Sequence, residues 1–246
     1  RIDWEMSTAH ERGWKVYQSQ AATQVLDPMF MEPEAGLAWY DASAPAEKRL
    51  SLVLGTQSPA GDIADALTMF GAKGCPFQVS TVQLTSCYPG GGFGGRDVST
   101  FPPLLMLAAV YADGPVRMAY DRFEQFQSGL KQLGSRMEIA LAVSRDGRFE
   151  ALRSTAVMQA GGKNNYSQYV AELAGYCANN AYSIPRASVD ATAQPSAGVV
   201  AGSMRGFGGP QAFFALETAI DRVGRDVRMD AIGLGKRNLL RKDRDD

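Results

Sequence analysis

The sequence predicts an α+β fold of mixed sheets with packed helices. Two observations carry this. Strand-like and helix-like stretches mix without steady βαβ alternation, and an Asp146-Gly147 hairpin sits in a chain that also holds amphipathic helical stretches. The composition is 45% hydrophobic and 21% charged over 246 residues, enough for one large domain or two small lobes.

Each element has its own local signal. Residues 1–30 show no clear period and are read as an upstream connecting segment, with the main domain over 31–246. Leu37 to Trp39 and Leu50 to Leu54 read as strands, as does the alternating stretch Phe77 to Leu84. Pro59 to Phe70 reads as a helix with Ile63, Leu67 and Phe70 on one face. Pro102 to Ala112 is apolar enough for a buried helix, and Val116 to Tyr120 reads as a strand. In the hairpin, Ile139, Leu141 and Val143 alternate, Asp146-Gly147 accepts the positive φ of the turn, and Phe149 to Leu152 returns. A helix follows over Tyr166 to Cys177, then an extended stretch over 186–200. Pro210 favours the first position of a helix whose apolar face is Phe213, Leu216, Ile220 and Val223. A last, weaker helix lies near 229–240, where Gly233 and Gly235 lower its propensity.

Composition also excludes functions. A net charge of −1 without a basic stripe argues against nucleic acid. The longest apolar stretch is far shorter than the roughly 18 residues of a membrane span. Cys75, Cys87 and Cys177 are scattered, without CxxC or iron–sulfur spacing, and read as reduced thiols of a cytoplasmic protein. With His10 the only histidine, Ser-His-Asp, Cys-His and His-ligated metal chemistry lose their main component. The chain opens on Arg1 and closes on the charged run Arg241 to Asp246, so both ends read as cuts in a longer chain.

Two glycine loops stand out. Gly90-Gly91-Gly92-Phe93-Gly94-Gly95 permits close approach and turns N–H groups toward a common point. Arg205-Gly206-Phe207-Gly208-Gly209-Pro210-Gln211 repeats the theme at a helix start, where free N–H groups and the helix dipole suit an electron-rich group. Either loop alone also reads as a tight structural turn. The first fits G-x-G-x-x-G at Gly90, Gly92 and Gly95, but Ser86 to Pro89 separate it from its strand and Pro102-Pro103 delays the helix. A dinucleotide fingerprint needs both joined directly.

Together these loops, with Glu32-Pro33-Glu34-Ala35, Thr56-Gln57, the Asp146-Gly147 hairpin and Lys236-Arg237-Asn238-Leu239, resemble the first molybdenum-cofactor-binding region of xanthine dehydrogenases and aldehyde oxidoreductases. The resemblance spans about residues 30–240. It implies two α+β lobes of a molybdenum-cofactor-binding domain. It also implies hydroxylation of an N-heterocycle or aldehyde with oxygen from water. The metal would be held by molybdopterin sulfurs, with or without an added cytosine nucleotide, rather than by side chains. Iron–sulfur clusters and FAD would lie on other domains or subunits.

By matching motif, the cofactor-binding set is Gln57, Gly92, Phe93, Gly94, Gly95, Arg205, Gly206, Phe207 and Gly208. Gln57, Phe93 and Arg205 would lie near molybdenum without ligating it, and Phe207 would meet the substrate ring. Gln57 also reads as an amide capping a turn, and the two Phe as core residues. Xanthine-acting members hold purine with a Glu after the first loop and an Arg on the later helix. Here these positions are Asp97 and Leu173, which favours a substrate with a less polar far side. The family's catalytic Glu comes from a later region, so no catalytic residue is assigned here. The other reading is a non-catalytic scaffold that keeps the fold for partner docking.

Overall fold

The computed structural model describes residues 2–240, and the charged run 241–246 lies outside them. The chain builds two four-stranded sheets, each covered by helices, and the two glycine loops lie where the lobes meet. After helix α1 (Ile2–Ser7) comes strand β1 (Lys15–Thr23). It pairs antiparallel with β7 (Gly134–Val143) over its whole length, from Lys15↔Val143 to Thr23↔Ser135. The expected connecting segment therefore carries an edge strand of a sheet. Its pattern was weak because the residues it turns inward are Tyr17, Ser19 and Ala21, two of them small.

The first sheet has the order β1-β7-β8-β9, with β8 at Phe149–Gln159 and β9 at Ala187–Gln194. The β7–β8 pair is the expected hairpin, and β8 runs parallel to β9 through helix α5 (Ser167–Tyr176). Helix α6 (Gly209–Val227) packs on β1 and β7. Its buried face is Ala212, Ala215, Leu216, Ala219, Ile220 and Val223. Phe213 is 37% exposed, so it is not the core residue that the period predicted. Ala215 and Ala219 take the facing positions and let α6 sit close to the sheet.

The second sheet has the order β4-β3-β2-β5, with β2 at Ala35–Tyr40, β3 at Leu50–Gly55, β4 at Val82–Cys87 and β5 at Val116–Ala119. Strands β3 and β4 run parallel and are joined through α2 (Pro59–Phe70). Leu50, Leu52 and Leu54 pack with α3 (Phe101–Tyr111), and Gly36 gives Leu105 the space that it needs, since a Cβ there would lie 2.6 Å from it. Burying each such leucine contributes roughly 1.5–3 kcal/mol. The alternating stretch from Phe77 enters the sheet only at Val82. Phe77 instead wedges between Tyr40 and Tyr111, with ring centroids 5.7 and 5.0 Å away, so its alternation reflects packing of a loop.

Helix α4 (Arg122–Ser128) had no apolar period to reveal it. Its signal is a capping box: Asp121 accepts from the Glu124 N–H at 2.7 Å, and Glu124 accepts from the Asp121 N–H at 2.8 Å. A short parallel pair, β6 (Lys131–Gln132) with β10 (Ala201–Gly202), sets the chain leading into the second glycine loop. Helix α7 (Ala231–Asn238) closes the described chain, and Asn238 donates to the carbonyl of Gly147 at 2.9 Å, tying it to the hairpin turn. Among the described residues no helix is long and apolar enough to cross a membrane.

Candidate functional site

The first glycine loop is built around two side chains. Gln57 follows β3, and its Oε1 accepts the N–H groups of Gly94 at 2.9 Å and Arg96 at 3.3 Å. Gly92 makes this possible, because a Cβ there would lie 2.3 Å from that oxygen. The two backbone donors fix the amide's orientation, so its Nε2 is the free end. Among the described residues Nε2 has no acceptor, and Gln57 is exposed. The turn-capping role and an outward donor therefore coexist in one side chain.

The second support is Arg96. Both loops offer a basic residue in the sequence, but Arg96 is 3% exposed and turned inward. Its Nε donates to the carbonyl of Gly91 at 2.9 Å. Its Nη2 donates to the carbonyl of Glu32 at 2.5 Å and to the Glu32 carboxylate at 3.1 Å. The guanidinium also lies over the Phe30 ring, 4.6 Å from its centroid. Burial lowers its pKa against the pull of the Glu34 and Glu32 carboxylates. Arg96 thus ties the loop to the Glu32-Pro33-Glu34 segment. Sequence reasoning singled out the Glu32-Pro33-Glu34 motif and the glycine loop but missed the Arg96 that ties them together, although an Arg closing a glycine run was the available signal.

Beneath the loop are two buried acids. Glu34 accepts from the Ser99 hydroxyl, and its other oxygen has no hydrogen-bond partner. Burial pushes its carboxyl up to about 7, although Ser99, Arg96 and Gln125 each pull it down. Asp62 accepts from the Thr56 hydroxyl at 2.5 Å, and burial pushes it up to about 6. Thr56 also accepts the Ser58 N–H at 3.0 Å, so this pair sets the turn that carries Gln57.

The second loop meets the first. The Arg205 N–H donates to the Phe93 carbonyl at 2.9 Å. A Cβ on Gly94 would lie 2.7 Å from the Ser203 carbonyl carbon and 2.8 Å from Met204 Cα, so only glycine allows this approach. Asp97 receives the Ser203 hydroxyl at 2.9 Å, which adds a side-chain link across the same seam. Phe93 and Phe207 occupy matching left-handed conformations, at φ 51° and 49°. Bulky residues rarely hold this backbone, and it persists only where surrounding contacts impose it.

Among the expected site residues, Gln57, Gly92, Phe93, Gly94, Gly95 and Asp97 thus lie on one side of the seam, and Arg205, Gly206, Phe207 and Gly208 on the other. Phe93 is 48% exposed, while Phe207 leans on the core of the first sheet. Leu173 lies in the α5 turn that backs Gly208, where a Cβ would meet the Val170 carbonyl at 2.3 Å and Ala174 at 3.2 Å. The loop amides are not all available. Those of Gly94, Gly95, Arg205, Phe207 and Gly209 are spent on internal bonds. Those of Gly92, Phe93, Gly206 and Gly208 have no acceptor among the described residues, and Arg205 is exposed with no side-chain partner among them.

This donor set suits an electron-rich group with many acceptors. It does not suit a bare metal ion, and no cluster of three His, Cys, Asp or Glu side chains occurs among the described residues. A cradle of amides, one amide side chain and one arginine instead fits a metal that arrives already bound by an organic cofactor.

Comparison with known proteins agrees. Residues 5–239 match the family described as "Molybdopterin cofactor-binding domain". The nicotinate dehydrogenase large molybdopterin subunit of Eubacterium barkeri is 28% identical over 222 residues, 89% of this chain and 49% of that protein. A probable xanthine dehydrogenase subunit of Bacillus subtilis is 30% identical over 158 residues, 64% of this chain and 21% of that protein. The quinoline 2-oxidoreductase structure from Pseudomonas putida 86 superposes with a TM-score of 0.80 at 25% identity, covering 97% of this chain and 30% of that one. The chain spans about half the length of the first of these relatives and less of the others. It belongs to the molybdopterin cofactor-binding domain family, as the molybdopterin-binding region of the xanthine dehydrogenase type.

Proposed function

We propose that this chain is the first cofactor-binding portion of a molybdenum hydroxylase large subunit, and that its two glycine loops hold the pterin and face the metal. The observation that carries the proposal is the seam itself. Two loops from separate lobes are locked together by the Arg205–Phe93 hydrogen bond, while four amides, the Gln57 Nε2 and the Arg205 guanidinium keep free donors. A scaffold kept only for docking has no need of this unspent donor set.

In this reading Gln57, held by its Oε1, would turn its Nε2 donor toward the metal centre. Phe93 would wall the centre, Arg205 would supply positive charge to the pterin, and the free amides of Gly92, Phe93, Gly206 and Gly208 would donate to the cofactor. Gly94 and Gly95 shape the loop. When bound, the molybdenum cofactor supplies two-electron oxidation with oxygen drawn from water. Phe207 meets the substrate ring and Asp97 and Leu173 border it, with an N-heterocycle or aldehyde as the substrate. The base lies in a later region of the same subunit. Iron–sulfur and flavin partners accept the electrons, and the assembly is cytoplasmic.

The test is molybdenum analysis together with dye reduction on a panel of aldehydes and N-heterocycles, for the complete subunit and for this chain alone. The complete subunit should carry molybdenum and turn over, and this chain alone should do neither. General-base help is commonly worth about 10²–10⁴ in rate. Stoichiometric molybdenum with turnover by the short chain would overturn the assignment.

A further inference from the structure

We infer that the face of the second sheet turned away from α3 carries a binding site for a small monocarboxylate with an apolar body, directly behind the first glycine loop. This goes beyond the cofactor reading above and does not rest on it. Leu50, Leu52 and Leu54 turn to α3, so the alternate residues of the same sheet share the opposite face. On that face the register sets Leu37 of β2 between Val53 of β3 and Arg117 of β5, and Gly55 beside Cys87 of β4. A cavity of about 280 Å³ opens there. Ala35, Leu37 and Val53 give it an apolar floor, and Cys87 and Tyr88, both exposed, stand at its β4 side. Sites for drug-sized ligands run to roughly 300–1,000 Å³, so the occupant here is smaller.

Two arginines reach this cavity. Arg117 is exposed and makes no side-chain hydrogen bond or ion pair with any described residue. Arg96 is buried, and Nη1 is the least-used end of its guanidinium, since its one bond there, to the Gly55 carbonyl, is 3.4 Å long. A Cβ on Gly55 would share the face of Val53 and would lie 3.6 Å from that nitrogen, which places Nη1 on the cavity side of the sheet. Strands β5 and β3 flank β2, so their backbones run roughly 10 Å apart, twice the strand spacing. A carboxylate seated over Leu37 lies between the two guanidinium groups. Arg96 also holds the Gly91 carbonyl through Nε at 2.9 Å, so the site shares its buried cation with the first glycine loop.

The lining charges leave one cation over. Glu32 is the one carboxylate among the lining residues, and it is spent on the Gly90 N–H at 2.7 Å and on Arg96 Nη2 at 3.1 Å. Arg117 therefore carries the uncompensated charge. A carboxylate offers the planar pair of oxygens that a guanidinium binds with two parallel N–H donors. The apolar floor favours a ligand whose remaining atoms are apolar too. A bare anion gains nothing from that floor, and a neutral ring of the same shape gains nothing from Arg117.

The test uses benzoate, its neutral isostere benzamide, and acetate, which keeps the charge without the ring. Each is titrated into the complete subunit while iodoacetamide alkylates the thiols, and peptide mass spectrometry reads the rate at Cys87. Cys75, which packs against the core on the other face of the sheet, is the reference. Benzoate should slow alkylation of Cys87 to saturation and leave Cys75 unchanged. Benzamide, without the charged contact, and acetate, without the buried ring, should each need about tenfold or more higher concentration. Arg117→Gln should raise the half-protection concentration of benzoate about tenfold, the usual effect of losing a hydrogen bond to a charged group. Arg117→Lys keeps the charge and should recover part of that loss. Arg117 is exposed on an edge strand, so both variants should melt with the parent. Equal protection by benzamide, an unchanged benzoate response in Arg117→Gln, or a Cys87 that resists alkylation before any anion is added would overturn the inference. Cys87 protection is read without turnover, so the outcome is separate from that of the hydroxylase reading.

Discussion

The backbone N–H of Arg205 donates to the carbonyl of Phe93 at 2.9 Å, which joins two glycine loops from different lobes into one seam. The seam depends on Gly94, which has φ +98° and where a Cβ would fall 2.7 Å from the Ser203 backbone. Gly94→Ala should destabilise the chain by about 1–3 kcal/mol, from overpacking against backbone that cannot rotate away. Gly114→Ala, with nothing within 4 Å, should leave stability nearly unchanged. Urea denaturation of the two variants checks this, and equal midpoints would mean that the seam carries no strain.

The proposed reading gives the two ends of Gln57 separable tasks. Gln57→Glu keeps an oxygen for the Gly94 and Arg96 amides but removes the Nε2 donor. Folding should survive, while cofactor retention or turnover in the complete subunit falls about 10–100-fold, as for other groups that orient a metal centre. Pterin content and turnover, set beside a melting curve, read the two tasks apart. Full activity in Gln57→Glu would confine the residue to capping its loop.

The buried acids make stability pH-dependent. The Glu34 carboxyl is pushed up to about 7 and that of Asp62 to about 6, in both cases chiefly by burial. Both bind protons more readily folded than unfolded, so their contribution is fully present below their ordinary values near 4. It is lost as pH rises through 6 and 7. Glu34→Gln should flatten the upper part of that decline and leave a slope ending near pH 6 from Asp62. Denaturation midpoints at pH 5, 6, 7 and 8 report this, and an unchanged pH profile would contradict the burial argument.

In the proposed reading Leu173 bears on substrate choice. It sits on the α5 turn behind Gly208, 37% exposed, and cannot donate a hydrogen bond. The complete enzyme should be poor on xanthine, because losing a paired contact in an enclosed site costs about 2–5 kcal/mol. Leu173→Arg should raise xanthine kcat/KM while lowering turnover of less polar rings. Efficient xanthine oxidation by the unaltered enzyme would separate Leu173 from the substrate.

Much of this architecture was legible where one local force dominates. The β7–β8 hairpin follows from alternation around Asp146-Gly147, and α2 and α3 from their apolar residues and leading prolines. Strand β1 was not legible, because Ser19 and Ala21 give an inward face too little apolar contrast. Phe77 misled because its alternating neighbours pack as a loop. Helix α4 was written in its capping box and not in its period. At the site, the paired Gly-Phe-Gly-Gly loops were visible as motifs. The division of their amides into spent and free was not, since it depends on which carbonyls folding brings within reach. Arg96 closes the first loop in the sequence, and only tertiary contact shows it buried against Glu32.

A holo structure of the complete subunit tests the central claim most directly. The amides of Gly92, Phe93, Gly206 and Gly208 and the Gln57 Nε2 should lie roughly 3 Å from cofactor or metal-ligand atoms, with the Arg205–Phe93 bond intact. Cofactor bound elsewhere in that structure, with this seam open to solvent and its donors bonded only to water, would contradict the account.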